Sequence, residues 1–202
     1  MKVVNFFIAS IKSVFFLFVV ALSASIGGFL AGFAYIEVKQ PAAEGCGVMT
    51  GTITQYCVPS RELIMHDSLG GNVNAGLQIM SSVDTIIATG DYCYSMCAFM
   101  LISVKHRYVC KDTVVGFHPA SYDDNGERKR ADLTTGFIRY YVSQNKKNDM
   151  AHFDKMMRET SPSETYDMTG KELLEHGMID GVVECDYERL LSGVSRKNYV
   201  EI

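Results

Sequence analysis

The chain has 202 residues, of which 48% are apolar and 21% are charged, a balance typical of a folded protein with one ordinary domain. With a formal net charge of −4 the chain has no overall positive potential, and the short basic cluster Arg128–Arg130 is flanked by acidic residues. Composition therefore excludes a disordered chain and argues against nucleic-acid binding.

The N-terminal segment differs in composition from the rest of the chain. No charged residue occurs from Ser13 to Ile36, and at about 1.5 Å per helical residue this run can cross a bilayer core of about 30 Å. Lys2 and Lys12 precede the run, so the positive-inside tendency keeps the N-terminus cytoplasmic and exports the remainder. A cleaved signal peptide, cut within Ala21–Ser25, is the alternative. The expected organisation is a cytoplasmic N-terminus (1–12), a transmembrane signal anchor (13–36), a linker (37–47) and a domain in the periplasm or cell exterior (48–202).

All six cysteines lie beyond residue 45, in the part of the chain that we expect to be exported. An even number of cysteines in an exported domain indicates disulfide bonds, and we expect at least two of them. The disulfide candidates are Cys46, Cys57, Cys93, Cys97, Cys110 and Cys185. The short separation of Cys46 and Cys57 favours a local bridge between them. A zinc site of Cys93, Cys97 and His118 is the alternative, although the spacing matches no paired Cys-x-x-Cys motif.

Apolar patterning predicts strands and helices in alternation. The predicted strands are Val48–Tyr56, Glu62–Met65, Thr85–Ala88, Tyr108–Phe117 and Met178–Val183. The predicted helices are Val73–Ser82, Met96–Ser103, Leu133–Met157 with a polar interruption at Ser143–Asp149, and the capped Thr169–Gly177. The segment Asp123–Glu127 is predicted to be a solvated loop. Alternation of this kind favours an α/β fold with parallel strands and crossover helices.

Two polar residues stand out against this pattern. Ser95 begins the apolar run Ser95–Leu101, and His118 follows a later strand. Nucleophilic acyl transfer needs at least a nucleophile and a general base, and a hydroxyl at the start of an apolar helix with an imidazole on a later strand can supply both. Upstream, the turn at Gly70 and Gly71 adds backbone N–H donors. Each feature alone has an ordinary role as a cap, a turn or a structural histidine, but their joint occurrence in this order favours a catalytic site.

The order of these elements and motifs resembles the proteolytic subunit of the Clp protease and its exported relatives in the Clp/crotonase superfamily. The resemblance covers about residues 48–184. It is most specific at Ser95–Ala98, where the family has Ser-Met-Gly-Ala, and next at Glu172–Asp180, which is similar to the family's Glu-Ala-x-x-x-Gly-Leu-Val-Asp. Cysteines on both sides of Ser95 also resemble predicted periplasmic, membrane-anchored members. The implied fold is a spiral of parallel β-strands with crossover helices, preceded by one transmembrane helix.

The resemblance also implies roles for the residues singled out above. Ser95 is the nucleophile, and His118 is the general base, since the ordinary pKa of imidazole, about 6.5, lies near working pH. The oxyanion hole is implied at the backbone N–H groups of Met96 and of Gly70 or Gly71. The dipole of the helix that follows Ser95 would stabilise the same negative charge.

The sequence departs from the family in four places. Three neighbours of the motif residues differ, because Leu69 replaces a proline, Tyr94 replaces a small residue and Cys97 replaces a glycine. The family's third triad residue, an aspartate, falls at Thr165, which has no charge to stabilise an imidazolium. Glu164 and Asp167 are the candidate carboxylates to orient the base, and a Ser/His dyad is the alternative.

We therefore expect a membrane-anchored serine peptidase that acts outside the cytoplasm on peptide or protein substrates, without cofactor or metal. A catalytically inactive Clp-like binding or scaffold module is the alternative. A lysine base is disfavoured, because neither Lys105 nor Lys111 has a matching motif. Export also disfavours acyl-CoA chemistry and an ATP-driven unfoldase partner. Clp-type subunits form rings, and the apolar residues that could supply a homo-oligomer interface are Phe137, Ile138, Tyr140, Tyr141 and Val142. Packing in the core explains these residues equally well.

Overall fold

A computed structural model describes residues 46–54 and 59–186. The predicted transmembrane segment (13–36) and its cytoplasmic flank (1–12) lie outside the described residues, as does most of the predicted linker. The predicted Cys46–Cys57 bridge likewise falls outside the described side chains. No helix within the described ranges is long and apolar enough to cross a membrane.

Nine strands and five helices make up the described part of the chain. The strands are β1 (Cys46–Ile53), β2 (Pro59–Gly71), β3 (Thr85–Tyr94), β4 (His106–Cys110), β5 (Val114–Phe117), β6 (Ser121–Asp124), β7 (Glu127–Arg130), β8 (Tyr166–Met168) and β9 (Gly181–Val183). The helices are α1 (Val73–Met80), α2 (Met96–Ser103), α3 (Asp132–Gln144), α4 (Met150–Glu159) and α5 (Gly170–Glu175). The polar interruption predicted within the long helical stretch separates α3 from α4, as expected.

The centre of the fold is a seven-stranded sheet in the order β1-β2-β3-β4-β9, with β5 joined to β3 and β8 joined to β5. Every pair in this sheet is parallel except β5–β8. Parallel neighbours need a crossover connection, and α1 and α2 supply it between β2, β3 and β4. The predicted α/β architecture is therefore confirmed.

Helix α2 is the central element of the core. It packs against β2, β3, α1 and α3, and every residue from Met96 to Ile102 is buried. The Phe99 ring contacts the rings of Phe117 and Phe153, with centroids 5.8 and 6.1 Å away. Full burial of such a side chain contributes about 1.5–3 kcal/mol. Because α2 is apolar on every side, its burial fixes the place of its first turn and of the residue before it, Ser95.

A buried ion pair ties β4 to the segment before β9. Arg107 is fully buried, and its Nη2 lies 3.2 Å from Asp180 Oδ1, while its Nη1 donates to Asn148 Oδ1 at 2.6 Å. Lys147 Nζ donates to the same Asp180 oxygen at 2.7 Å. Burial alone would raise the pKa of Asp180, but the hydrogen bonds from Arg107 and Lys147 outweigh it and hold that pKa below its usual range. The carboxylate is therefore charged and fully engaged in the native fold.

The prediction of a solvated loop at Asp123–Glu127 is wrong in part, because this segment is the tip of a β-hairpin formed by β6 and β7. Asn125 and Gly126 occupy the turn with φ of 57° and 86°, which is the backbone that a tight hairpin needs. The strands on either side carry mostly charged residues, so they show none of the apolar alternation that predicts a strand.

Other boundaries differ for reasons of pairing. The predicted strand Tyr108–Phe117 is two strands, β4 and β5, separated by a turn in which the Thr113 N–H donates to the Cys110 carbonyl. Strand β3 runs on to Tyr94 because it pairs first with β4 and then with β5. The three-residue antiparallel strand β8 was not predicted, and β9 begins at Gly181 rather than Met178.

Helix α3 divides the residues predicted for an oligomer interface into two groups. Ile138 and Val142 are buried in the core, so core packing is the correct explanation for these two and the interface is not. Phe137 and Tyr140 are 63% and 61% exposed, and Tyr141 is also exposed. Only the second group can contribute to a surface.

Candidate active site

Ser95 joins β3 to α2 in an unusual backbone conformation. Its φ of 57° and ψ of −121° lie in a region that non-glycine residues rarely adopt, at a cost of about 1–3 kcal/mol. Its N–H donates to the Gly116 carbonyl at 2.8 Å, which anchors the turn to β5. Its side chain makes no capping hydrogen bond, so it does not have the ordinary role of a serine at a helix start. A strained serine on a strand-to-helix turn resembles the nucleophile elbow of serine hydrolases.

Gly70 packs directly against this turn. A Cβ built on Gly70 would lie 2.5 Å from the Tyr94 carbonyl oxygen, 2.6 Å from the Met96 nitrogen and 2.7 Å from Ser95 Cβ. Its φ of 79° also favours glycine. The Gly70 N–H donates to Ser68 Oγ at 3.3 Å. Glycine is therefore required here because the backbone of β2 approaches the first amide of α2 so closely.

The Ser95 turn opens into a cleft of 510 Å³. The predicted nucleophile and base both line it, together with Gly71, Glu164 and Thr165. Three predicted site residues, Gly70, Met96 and Asp167, are not part of this lining. The cleft thus brings together Ser95, His118, one of the two glycines predicted for an oxyanion hole and one candidate carboxylate, all of which are far apart in sequence.

His118 follows β5 and has one defined polar contact. Its Nδ1 lies 2.8 Å from the Pro119 carbonyl oxygen. A carbonyl only accepts, so this hydrogen bond requires the proton on Nδ1 and leaves the lone pair on Nε2. That is the tautomer a general base needs. Among the described residues, neither Ser95 nor any carboxylate is hydrogen-bonded to the imidazole in this structure.

The two candidate carboxylates lie in different places. The β5–β8 register pairs Gly116 with Asp167 and Phe117 with Tyr166. His118 and Thr165 are the next residues beyond this pairing, and both line the cleft. Asp167 faces Tyr94 across Gly116, since its Oδ1 is 2.7 Å from a Cβ built on that glycine, where Tyr94 also lies. Burial, and after it the charge of Asp167, raise the pKa of Tyr94. Thr165, the position at which the family's aspartate falls, carries a hydroxyl instead of a carboxylate.

The cysteines form two disulfides within the described residues, Cys93–Cys97 and Cys110–Cys185, with Cα atoms 5.4 and 5.5 Å apart. The expectation of at least two bridges is confirmed. The zinc alternative required Cys93 and Cys97 as free thiolates, which the first bridge prevents, and no cluster of metal-ligating side chains occurs in the ranges that the structure describes. The same bridge gives a reason for a cysteine at position 97, where the family has glycine.

Sequence reasoning missed the contribution of the β6–β7 hairpin to the cleft. Ser121 and Arg128 from this hairpin line it. Arg128 is exposed. The Asn125-Gly126 turn was the available signal, because this dipeptide is typical of two-residue hairpins.

Comparison with solved structures identifies the fold. A serine-to-alanine variant of the 1510-N membrane-bound stomatin-specific protease superposes with a TM-score of 0.55, at 16% identity, over 76% of this chain and 84% of that one. An asparagine-to-aspartate variant of ClpP1 from Listeria monocytogenes gives a TM-score of 0.51, at 14% identity, over 72% and 94%. Neither protein-family profiles nor curated protein sequences give a match. The described domain therefore has a Clp protease-like fold of the Clp/crotonase type.

Proposed function

We propose that this protein is a serine peptidase that hydrolyses peptide bonds through an acyl-enzyme on Ser95, with His118 as the general base. The observation that carries the proposal is the strained Ser95 at the wall of a cleft that His118 also lines. Strain of this kind persists where it is part of a mechanism, because a relaxed residue would form the same connection at lower cost. The absence of a capping hydrogen bond leaves the hydroxyl free to react.

Chemistry at the cleft starts with attack of Ser95 Oγ on the scissile carbonyl, while His118 Nε2 takes its proton. The imidazolium then gives this proton to the leaving amine, and water hydrolyses the acyl-enzyme by the same route. The Pro119 carbonyl at 2.8 Å orients the ring, but a neutral oxygen stabilises the imidazolium less than a carboxylate does. Glu164 lines the cleft and is the better candidate to supply that charge after a small shift, whereas Asp167 faces Tyr94.

Two backbone N–H groups would bind the oxyanion. Met96 is the first helical residue of α2, where the amide has no partner within the helix and the dipole favours negative charge. Gly71 is the better second donor, since it lines the cleft while the Gly70 N–H is already engaged with Ser68. Removal of one such donor costs about 2.7–4 kcal/mol of transition-state stabilisation in a comparable enzyme.

Location is the second part of the proposal. Residues 13–36 would anchor the protein in a membrane, with the Clp-like domain in the periplasm or cell exterior. The uncharged run behind Lys2 and Lys12 supports this topology, and the two disulfides are typical of an oxidising compartment. The membrane-bound protease with the same fold is a precedent for the arrangement.

The test is cleavage of an unstructured peptide by the purified full-length protein under oxidising conditions. Ser95→Ala and His118→Ala should each abolish cleavage, and the double variant should be hardly worse than either one, because nucleophile and base act as a unit. Ser121→Ala, which removes another hydroxyl from the same cleft, is the matched control and should retain activity. A wild type that neither cleaves nor reacts with serine-directed probes would overturn the proposal in favour of an inactive Clp-like binding module.

A further inference from the structure

We propose that the Cys93–Cys97 disulfide is a positioning device for the nucleophile, which holds Ser95 in its strained conformation and makes the activity of the site depend on oxidation. This proposal rests on the proposed function of Ser95. It concerns a bond that flanks the cleft, because neither cysteine lines it.

The position of the bond relative to Ser95 is the first observation. Cys93 lies two residues before Ser95, near the end of β3, and Cys97 lies two residues after it, in the first turn of α2. Their Cα atoms are 5.4 Å apart, and both side chains are fully buried. The bridge therefore joins the C-terminal end of β3 to the first turn of α2 and closes a small loop with Ser95 at its centre.

The second observation is the set of contacts that hold the Ser95 backbone together with the buried helix α2. Its N–H donates to the Gly116 carbonyl, and its carbonyl accepts from the Phe99 N–H at 3.1 Å. Gly70 closes the third side, without a hydrogen bond to Ser95. A conformation in a sparsely populated region persists only when its surroundings over-determine it. A covalent link from Cys93 to Cys97 restricts the backbone conformations open to the three residues between them.

The second disulfide provides a natural comparison. Cys110 and Cys185 join the end of β4 to the chain just after β9, and neither residue lines the cleft. Removal of this bridge costs stability, as for any disulfide that closes a long loop, but it leaves the Ser95 turn untouched. The two bonds should thus differ in their effect on chemistry even where both affect stability.

Reduction of the Cys93–Cys97 bond by a dithiol balances as a simple exchange. The reductant gives up two electrons and two protons and becomes a cyclic disulfide, and the two protein sulfurs become thiols. Both sulfurs of this bridge are buried, whereas Cys185 is partly exposed. Cys110–Cys185 should therefore be reduced first, and the nucleophile should lose its reactivity only when the second bond opens.

The experiment measures the rate at which a fluorophosphonate labels the full-length protein, as a function of probe concentration and pH. We compare the oxidised wild type with Cys93→Ala/Cys97→Ala and with Cys110→Ala/Cys185→Ala. The first variant should show a saturating rate about 5- to 150-fold lower, the range that corresponds to strain of this size, with an unchanged pH midpoint because His118 is unaltered. The second should keep the wild-type rate. Labelling of the wild type should slow when the protein is reduced and should return to its original rate on reoxidation.

Three results would contradict the proposal. Equal saturating rates for the wild type and Cys93→Ala/Cys97→Ala would overturn it while leaving Ser95 as the nucleophile. An equal loss in the Cys110→Ala/Cys185→Ala variant would overturn it as well, since the effect would then be general destabilisation. If the oxidised wild type does not label, the proposed function itself fails. Should the first variant not fold by circular dichroism, labelling of the wild type during reduction decides, because its loss must follow the opening of Cys93–Cys97 measured by mass spectrometry.

Discussion

Substitution of Gly70 by alanine tests whether the close approach of β2 to the Ser95 turn is as tight as the structure indicates. The new Cβ would lie 2.5 Å from the Tyr94 carbonyl oxygen and 2.6 Å from the Met96 nitrogen. Both are backbone atoms, so rotation of a side chain cannot relieve the overlap. The substitution must therefore move β2 or the start of α2, and either movement displaces the proposed oxyanion donor.

Two contributions set the size of the effect. An alanine at φ of 79° costs about 1–2 kcal/mol in backbone conformation, and overpacking costs about 1–3 kcal/mol more. Gly126→Ala is the matched control, because Gly126 has a φ of 86° and nothing within 4 Å of its Cβ position. Both variants carry the conformational cost, and only Gly70→Ala carries the overlap. The difference between them should be about 1–3 kcal/mol.

Thermal unfolding followed by circular dichroism measures this difference. For a chain of this size it corresponds to a Tm that is about 2–12 °C lower for Gly70→Ala than for Gly126→Ala. Labelling of Ser95 by a fluorophosphonate should also slow in the first variant and stay at the wild-type rate in the second. Equal Tm values for the two variants would refute the inferred close approach, and unchanged labelling of Gly70→Ala would refute its importance for the site.

Three further predictions concern the base, the core and the surface. Thr165→Asp adds a carboxylate to the cleft that His118 also lines and should raise the rate of peptide cleavage by about tenfold or more; an unchanged or lower rate would show that this position cannot supply the charge that orients the base. Asp180→Asn leaves the buried Arg107 unpaired and should lower the free energy of unfolding at pH 7 by about 3–5 kcal/mol. Since the folded-state pKa of Asp180 is lowered, the stability that its charge contributes is complete above the ordinary pKa of about 3.9 and is lost as the pH falls through the folded-state value. The free energies of unfolding of the wild type and Asp180→Asn, measured by denaturant titration, should therefore converge at acidic pH. Phe137→Asp should reduce self-association in analytical ultracentrifugation without a change in Tm, because this ring is 63% exposed; an oligomer of unchanged affinity would exclude this face.

The parts of the fold that sequence predicts well are those in which local pattern and tertiary packing agree. Helix α2 is apolar throughout and lies in the core, and the capping box of Thr169 and Glu172 begins α5 as expected. Strand β8 and the charged hairpin are held by cross-strand pairing, and their sequences lack the alternation of apolar and polar residues from which a strand is predicted. The buried Arg107 was also unpredictable, because its partner Asp180 is 73 residues away.

The same distinction holds at the candidate site. The order of the serine and histidine motifs predicts that Ser95 and His118 meet, because strands of a parallel sheet bring their ends together. The strained φ of Ser95 has no signature in its neighbours, Tyr94 and Met96, since neither is a residue that favours or forbids such a turn. Disulfide pairing is equally unreadable from the sequence, because six cysteines allow 15 connectivities.

The central claim is that Ser95 is an activated nucleophile, and the most direct measurement is the mass of the oxidised full-length protein after reaction with a fluorophosphonate. The account predicts one adduct, mapped by peptide sequencing to Ser95, that is absent in Ser95→Ala and much slower to form in His118→Ala. The adduct should form at the wild-type rate in Ser121→Ala. An unmodified wild type, or an adduct that persists in Ser95→Ala, would contradict the account.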